Sequence, residues 1–211
     1  VTGRLVWTFH TIPRRDEPGF ETWLNGSALE GGGAGNAGVW GAISADPQLG
    51  LVYLPVESPY GDMYGGLRPG ANLYGESIVC LDAKTGRRVW HYQITHHGLW
   101  DYDMPSPPVL ATIHKDGRAL DVVAMVTKQG WVFVFDRVTG KPVWPIVERP
   151  VAASDVPGER AAPTQPAPTK PPAFAKQGFT EDDVIDFTPE LKRLALEEVR
   201  NYRVGPLYTP P

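Results

Sequence analysis

The densest group of side chains able to do chemistry is His96-His97-Gly98-Leu99-Trp100-Asp101-Tyr102-Asp103, where two imidazoles, two carboxylates and two large aromatics stand between an apolar run and a proline-rich turn. Beside a ring-lined cavity, Asp101 could serve as a general base for a hydroxyl proton. The other reading of the same residues is structural: Asp101 and Asp103 cap a turn, and the histidines lie on the surface. A metal held by His96 and His97 together is disfavoured, because consecutive residues of an extended chain point to opposite sides. That also weakens a hydrolase or binding propeller built on this pair. Lys128 stands at a turn between two apolar runs and reads by itself as a solvated turn lysine. Trp40, in Gly38-Val39-Trp40-Gly41, reads as core packing, although glycines on both sides of an indole also suit a flat ring stacking on it. Glu57 and Ser58 read as loop polars. The glycines of Gly31-Gly32-Gly33-Ala34-Gly35 make no phosphate loop, since neither Lys-Ser/Thr nor a helix follows them.

Stepping outward, the elements that must position these residues are hairpins. Asp82-Ala-Lys-Thr85-Gly86-Arg-Arg-Val-Trp90 recurs with identical spacing as Asp136-Arg-Val-Thr139-Gly140-Lys-Pro-Val-Trp144. In each copy Gly supplies a positive φ, Asp and Thr can bond the turn backbone, and Trp returns on the next strand as a large packing element. From Trp90 to Trp144 is 54 residues, near the ~40 to 50 residues of one four-stranded propeller blade. Gly3-Arg4-Leu5-Val6-Trp7 keeps the second half of the motif, so the chain is expected to begin inside a blade. Short β-branched or aromatic runs at Leu51 to Val56, Ser77 to Asp82, Val89 to Ile94, Val109 to Ile113, Asp121 to Thr127 and Trp131 to Asp136 predict strands. His114-Lys115-Asp116-Gly117 and Lys128-Gln129-Gly130 predict hairpin turns, and Gly31 to Gly38 and Ser58 to Gly75 predict loops.

The expected fold is therefore all-β, a partial β-propeller of about two to three four-stranded blades over residues 1–145. Residues 146–211 are expected to be an excursion of the same domain. Pro and Ala dominate from Pro145 to about Ala175, which predicts extended, polyproline-like chain. Thr188-Pro189-Glu190, followed by Leu191, Leu194, Ala195 and Val199, predicts a helix from about 189 to 201. Gly205-Pro206 stops it, and Pro210-Pro211 with no closing strand suggests a C-terminal cut as well.

Composition narrows the functions. A formal net charge of -4 and no Lys/Arg block give a phosphate backbone nothing to hold, so nucleic acid is not expected as a partner. The single Cys80, within an apolar run, excludes an internal disulfide and a cysteine zinc site. No run long enough for a membrane-spanning helix and no export signal occur in these 211 residues.

The stretches Leu51-Val-Tyr-Leu-Pro, Tyr64-Gly-Gly, Ser77-Ile-Val-Cys-Leu-Asp-Ala-Lys-Thr-Gly, His96-His97-Gly-Leu-Trp100-Asp101-Tyr-Asp103 and Lys128-Gln-Gly130 through Asp136-Arg-Val-Thr-Gly resemble the pyrroloquinoline quinone (PQQ)-dependent dehydrogenases. The resemblance runs from Gly3 to Pro211, is strongest to the quinoprotein glucose dehydrogenase branch, and implies an eight-bladed propeller. It implies that Asp101 takes the proton from a sugar or alcohol hydroxyl while hydride moves to the C5 carbonyl of PQQ. It further implies that Lys128 faces the quinone oxygens, that Trp40 stacks on the cofactor, and that Asp101 and Ser58 ligate Ca2+. Relatives place an Asn or Thr where Ser58 stands. The single Cys departs from the alcohol-oxidising branch, in which a disulfide between adjacent cysteines covers the cofactor. Electrons would pass to a quinone or cytochrome, and the protein would be periplasmic or face the periplasm from the inner membrane. The family's first-half cofactor ligands, including an acidic metal ligand and an arginine for the PQQ carboxylates, would lie upstream, so the isolated stretch is expected not to turn over. The competing expectation is a non-catalytic propeller, a scaffold or outer-membrane assembly protein, which has no need of Trp40, Asp101 and Lys128 at this spacing.

Overall fold

The computed structural model describes residues 2–29 and 35–210; the glycine run from Gly31 through Ala34 lies outside the described residues. Strands β1 (Ser44–Asp46), β2 (Leu51–Pro55), β3 (Ser77–Asp82) and β4 (Arg88–Gln93) form an antiparallel sheet in chain order. Strands β5 (Val109–Lys115), β6 (Arg118–Val126) and β7 (Val132–Asp136) form a second meander, and β8 (Ile146–Pro150) pairs with β9 (Thr164–Pro168). Helix α1 spans Pro189–Val199, with Thr188 Oγ1 accepting from Leu191 N at the N-cap. The partial propeller is thus one complete four-stranded blade followed by a three-stranded one.

Alternation along the strands builds the interface between these sheets. Leu51 and Tyr53 of β2, Ile78 and Cys80 of β3 and Trp90 of β4 pack with Val123 and Met125 of β6 and Phe133 and Phe135 of β7 in one cluster. The intervening Leu54, Val79 and Leu81 pack on the opposite face under Trp7, Phe9 and Ile12. Strand β3 is therefore apolar on both faces, which is why its sequence shows a continuous run rather than alternation.

The two repeated turns superimpose in detail. Asp82 Oδ1 accepts from Lys84 N, Thr85 N and Thr85 Oγ1, and Gly86 N donates to Asp82 O with Gly86 at φ 69°. Asp136, Val138, Thr139 and Gly140 repeat every one of these bonds. The tryptophans do not cover their own turns. Trp7 lies against Gly86 and donates from Nε1 to Ala83 O, while Trp90 lies against Gly140 and donates to Arg137 O. Each motif's indole thus seats on the next motif's glycine.

Three features depart from expectation. Trp144 is not on a strand: Pro142 stands where the first copy has Arg88, its missing N–H removes a ladder donor, and only the bridge Phe135↔Pro142 forms. The Pro/Ala-rich stretch is extended but not unpaired, since β8 and β9 form a ladder from Ile146↔Pro168 to Pro150↔Thr164. The three-residue β1 escaped notice because it is too short to show a period.

Candidate active site

Asp101 lies in the chain between β4 and β5, and Lys128 lies in the β6–β7 turn. The turn is closed by Gly130 N donating to Thr127 O and Thr127 N to Trp131 O, with Gly130 at φ 78°. This aims the lysine back at the β4–β5 loop. Lys128 Nζ donates to Asp101 O at 3.0 Å, to Asp101 Oδ2 at 3.1 Å and to Asp103 Oδ2 at 3.3 Å. Lys128 is therefore not a free turn lysine but the bridge between two carboxylates. The other oxygen of Asp103, Oδ1, accepts from Ser58 N at 2.8 Å, which brings the β2–β3 loop into the same group.

Protonation reflects this crowding. Partial burial and the charge of Asp103 push the Asp101 carboxyl above its ordinary range, against the pull of Lys128. Burial works against the charge on Lys128, but Asp101 and Asp103 outweigh it and hold the ammonium above its usual range.

Ser58 is 3% exposed, not a loop surface polar, and its Oγ has no hydrogen-bond partner. An orphaned buried hydroxyl beside two carboxylates is an oxygen available to a hard cation. Trp40 is 60% exposed, so the core-packing reading fails. Its neighbour Gly41 sits so close to the backbone of Met104 and Pro105 that a Cβ would approach Pro105 O to 3.0 Å. The backbone beside the indole thus runs against the chain that follows Asp103, and much of the indole surface is open.

The loop is fixed from two sides. Trp100 and Tyr102 stack with ring centroids 6.0 Å apart, and they donate to Thr209 O and Leu207 O, each at 2.7 Å. Gln165 of β9 accepts from His96 N and donates to His96 O. The histidines diverge: His96 bonds Gln93 and Glu148, whereas His97 is buried against Asn72. Among the described residues no cluster of three His, Cys, Asp or Glu is placed to hold a metal.

Arg68, Asn72, Glu76 and Gln165 around this site went unmarked in the sequence. Arg68 and Asn72 occur in a Gly/Pro-rich loop without periodicity, and Glu76 immediately precedes an apolar strand, so each reads as a solvated polar.

Comparison with known proteins identifies the family of the chain. Residues 1–211 match the family model described as PQQ: glucose/ethanol/alcohol dehydrogenase, β-propeller domain. The chain is 36% identical to quinate/shikimate dehydrogenase (quinone) of Acinetobacter baylyi, over all of this chain and 26% of that protein. It is 41% identical over 128 residues to quinoprotein glucose dehydrogenase of Escherichia coli, covering 60% of this chain and 16% of that protein. The crystal structure of quinohemoprotein alcohol dehydrogenase from Comamonas testosteroni superposes with a TM-score of 0.55 at 29% identity, over 72% of this chain and 22% of that one. The chain spans about a quarter of the length of the first of these relatives. With the meander of blades, the recurrent turns and a match along its entire length, this chain belongs to the β-propeller family of PQQ-dependent glucose/ethanol/alcohol dehydrogenases.

Proposed function

We propose that these residues form the catalytic side of a PQQ- and Ca2+-dependent dehydrogenase that oxidises a sugar, alcohol or polyol hydroxyl and delivers electrons to a quinone or cytochrome. The observation that carries this reading is Lys128 Nζ bridging Asp101 and Asp103 across 27 residues of sequence. When bound, PQQ supplies a two-electron acceptor for hydride, and Ca2+ supplies Lewis acidity at its carbonyl. Asp101 takes the hydroxyl proton; partial burial raises its pKa, which makes it a better base than an unperturbed carboxylate. Lys128 keeps a positive charge where negative charge grows on reduction. Trp40 offers an open ring face for a flat cofactor, and Ser58 Oγ and Asp101 offer oxygens for the ion. A scaffold propeller would gain nothing from leaving Ser58 Oγ unpartnered and an indole exposed.

The test is reconstitution of the full-length protein with PQQ and Ca2+, following dye reduction on glucose, other aldoses, quinate, glycerol and short alcohols. Turnover on at least one hydroxyl substrate is expected. Asp101→Asn should lower kcat by roughly 100-fold or more, and Lys128→Ala should do the same by removing the cation. No turnover with any substrate, or full activity in Asp101→Asn, sinks the proposal.

A further inference from the structure

Beneath the Asp101 loop lies a set of polar side chains that the chemistry above leaves unused. Arg68 is 0% exposed, Glu76 1% and His97 6%, an unusual depth for ionisable groups. Arg68 Nη2 donates to the Gly98 carbonyl at 2.6 Å, and its Nη1 donates to Asn72 Oδ1 at 3.0 Å. Asn72 Oδ1 also bonds His97 Nδ1 at 2.9 Å. The Glu76 carboxylate lies directly against Gly98. Gly98 is thus held by two buried side chains of the β2–β3 loop, a cation bonded to its carbonyl and an acid packed on its Cα. Any side chain at position 98 would collide with the Glu76 carboxylate.

The backbone on either side of this grip is unusual. His97 has φ 44° and Asp101 has φ 54°, left-handed values that non-glycine residues adopt only at a cost. These two residues stand at the ends of the five-residue segment His97–Asp101. A segment of this kind persists where its surroundings over-determine it, and here they do so through Gly98. Apolar packing could bury the same loop more cheaply, because a guanidinium and an acid are costly to take out of water. What a directed bond to the C=O adds over apolar packing is control of direction.

We infer that Arg68 and Glu76 are positioning residues: by fixing Gly98 they set the direction of the Asp101 carboxylate relative to Lys128 and the hydroxyl to be deprotonated. This rests on Asp101 being the base, so Asp101→Asn is measured alongside.

In the full-length enzyme loaded with PQQ and Ca2+, Glu76→Ala should lower kcat by roughly 10- to 100-fold, the penalty of a slightly misplaced catalytic group. KM and the PQQ dissociation constant should change by less than about threefold, since ground-state binding is not what the clamp controls. Glu76→Gln, which keeps the same bulk against Gly98, should recover most of the loss. A second measurement needs no variant: hydrogen exchange read at Gly98 of the wild-type protein should show strong protection. The inference is overturned if the Gly98 amide exchanges like a solvated one, if Glu76→Ala keeps wild-type kcat, or if Glu76→Ala and Glu76→Gln lose activity, cofactor affinity and thermal stability in parallel. If Asp101→Asn retains activity, the base assignment itself has failed, and that outcome is distinct from an inert Glu76→Ala beside a dead Asp101→Asn.

Discussion

His97 and Glu76 are neighbours in the same buried network, yet burial moves them in opposite directions on the pH scale. Burial, helped by the charge of Arg68, holds the His97 pKa down to about 4, whereas burial pushes Glu76 up to about 8. The unfolded chain binds more protons at His97 between about pH 4 and 6.5, so the stability His97 gives is complete above that window and lost as pH falls through it. For Glu76 the folded chain binds more protons between about pH 4.5 and 8, so stability is lost as pH rises through that window. Between about pH 4.5 and 6.5 the two slopes cancel, so the pair should give a plateau there, with stability falling on the alkaline side up to about pH 8 and over a narrower acid window down to about pH 4. Thermal unfolding as a function of pH checks this: in His97→Gln the loss with rising pH should set in already near pH 4.5, and in Glu76→Gln the loss with falling pH should set in already near pH 6.5. Under the proposed function, Ser58→Ala removes one offered oxygen and should weaken Ca2+ binding by about tenfold in calorimetric titration of the full-length protein.

Among the elements, the repeated hairpin gives the sharpest contrast between two glycines. Gly140 has φ 69° and lies under Trp90, where a Cβ would come within 2.5 Å of the indole. Gly117, in the β5–β6 turn, has φ 75° with nothing within 4 Å of an added Cβ. Gly117→Ala should cost about 1 kcal/mol, the left-handed penalty alone. Gly140→Ala should cost roughly 2 to 4 kcal/mol, because it adds displacement of a packed ring. Equilibrium denaturation of the two variants measures the difference. These hairpins were legible in the sequence because turn chemistry is local: Asp, Thr and Gly act within five residues of one another. The helix was legible for the same reason, through Thr188 and Pro189. The β8–β9 ladder was not, since proline-rich chain carries no apolar period. Arg68 and Glu76 were not, because their burial is decided by a loop folding under Gly98, 30 and 22 positions away. Asp101 and Lys128 stood in plain view as residues, but only the family resemblance joined them; no local rule pairs an aspartate with a lysine 27 residues on.

For the molecule as a whole, the site is assembled from four separated stretches, around Trp40, Ser58, Asp101 and Lys128, with Gln165 of the proline-rich hairpin gripping the loop from outside. Gln165 is fully buried, and its bonds to both backbone groups of His96 tie the hairpin to the β4–β5 connection. Gln165→Ala should leave both propeller sheets intact and cost roughly 1 to 3 kcal/mol, because buried backbone groups lose their partners. Hydrogen exchange should speed up at His96 and in β9 while β2 and β3 stay protected, and equal acceleration everywhere would contradict this picture. Trp7 covers the first repeated turn and Trp90 carries the first sheet onto the turn of the second, and this forward reach gives the array a polarity. In both pairs an earlier motif lends its indole to the next motif's glycine, so the two sides of a break between them are unlike: one keeps a stranded indole, the other an uncovered glycine turn. Damage should accordingly travel one way along the chain. Loss of Trp90 loosens the turn at Gly140 downstream, while the turn at Gly86, still roofed by Trp7, keeps its cover.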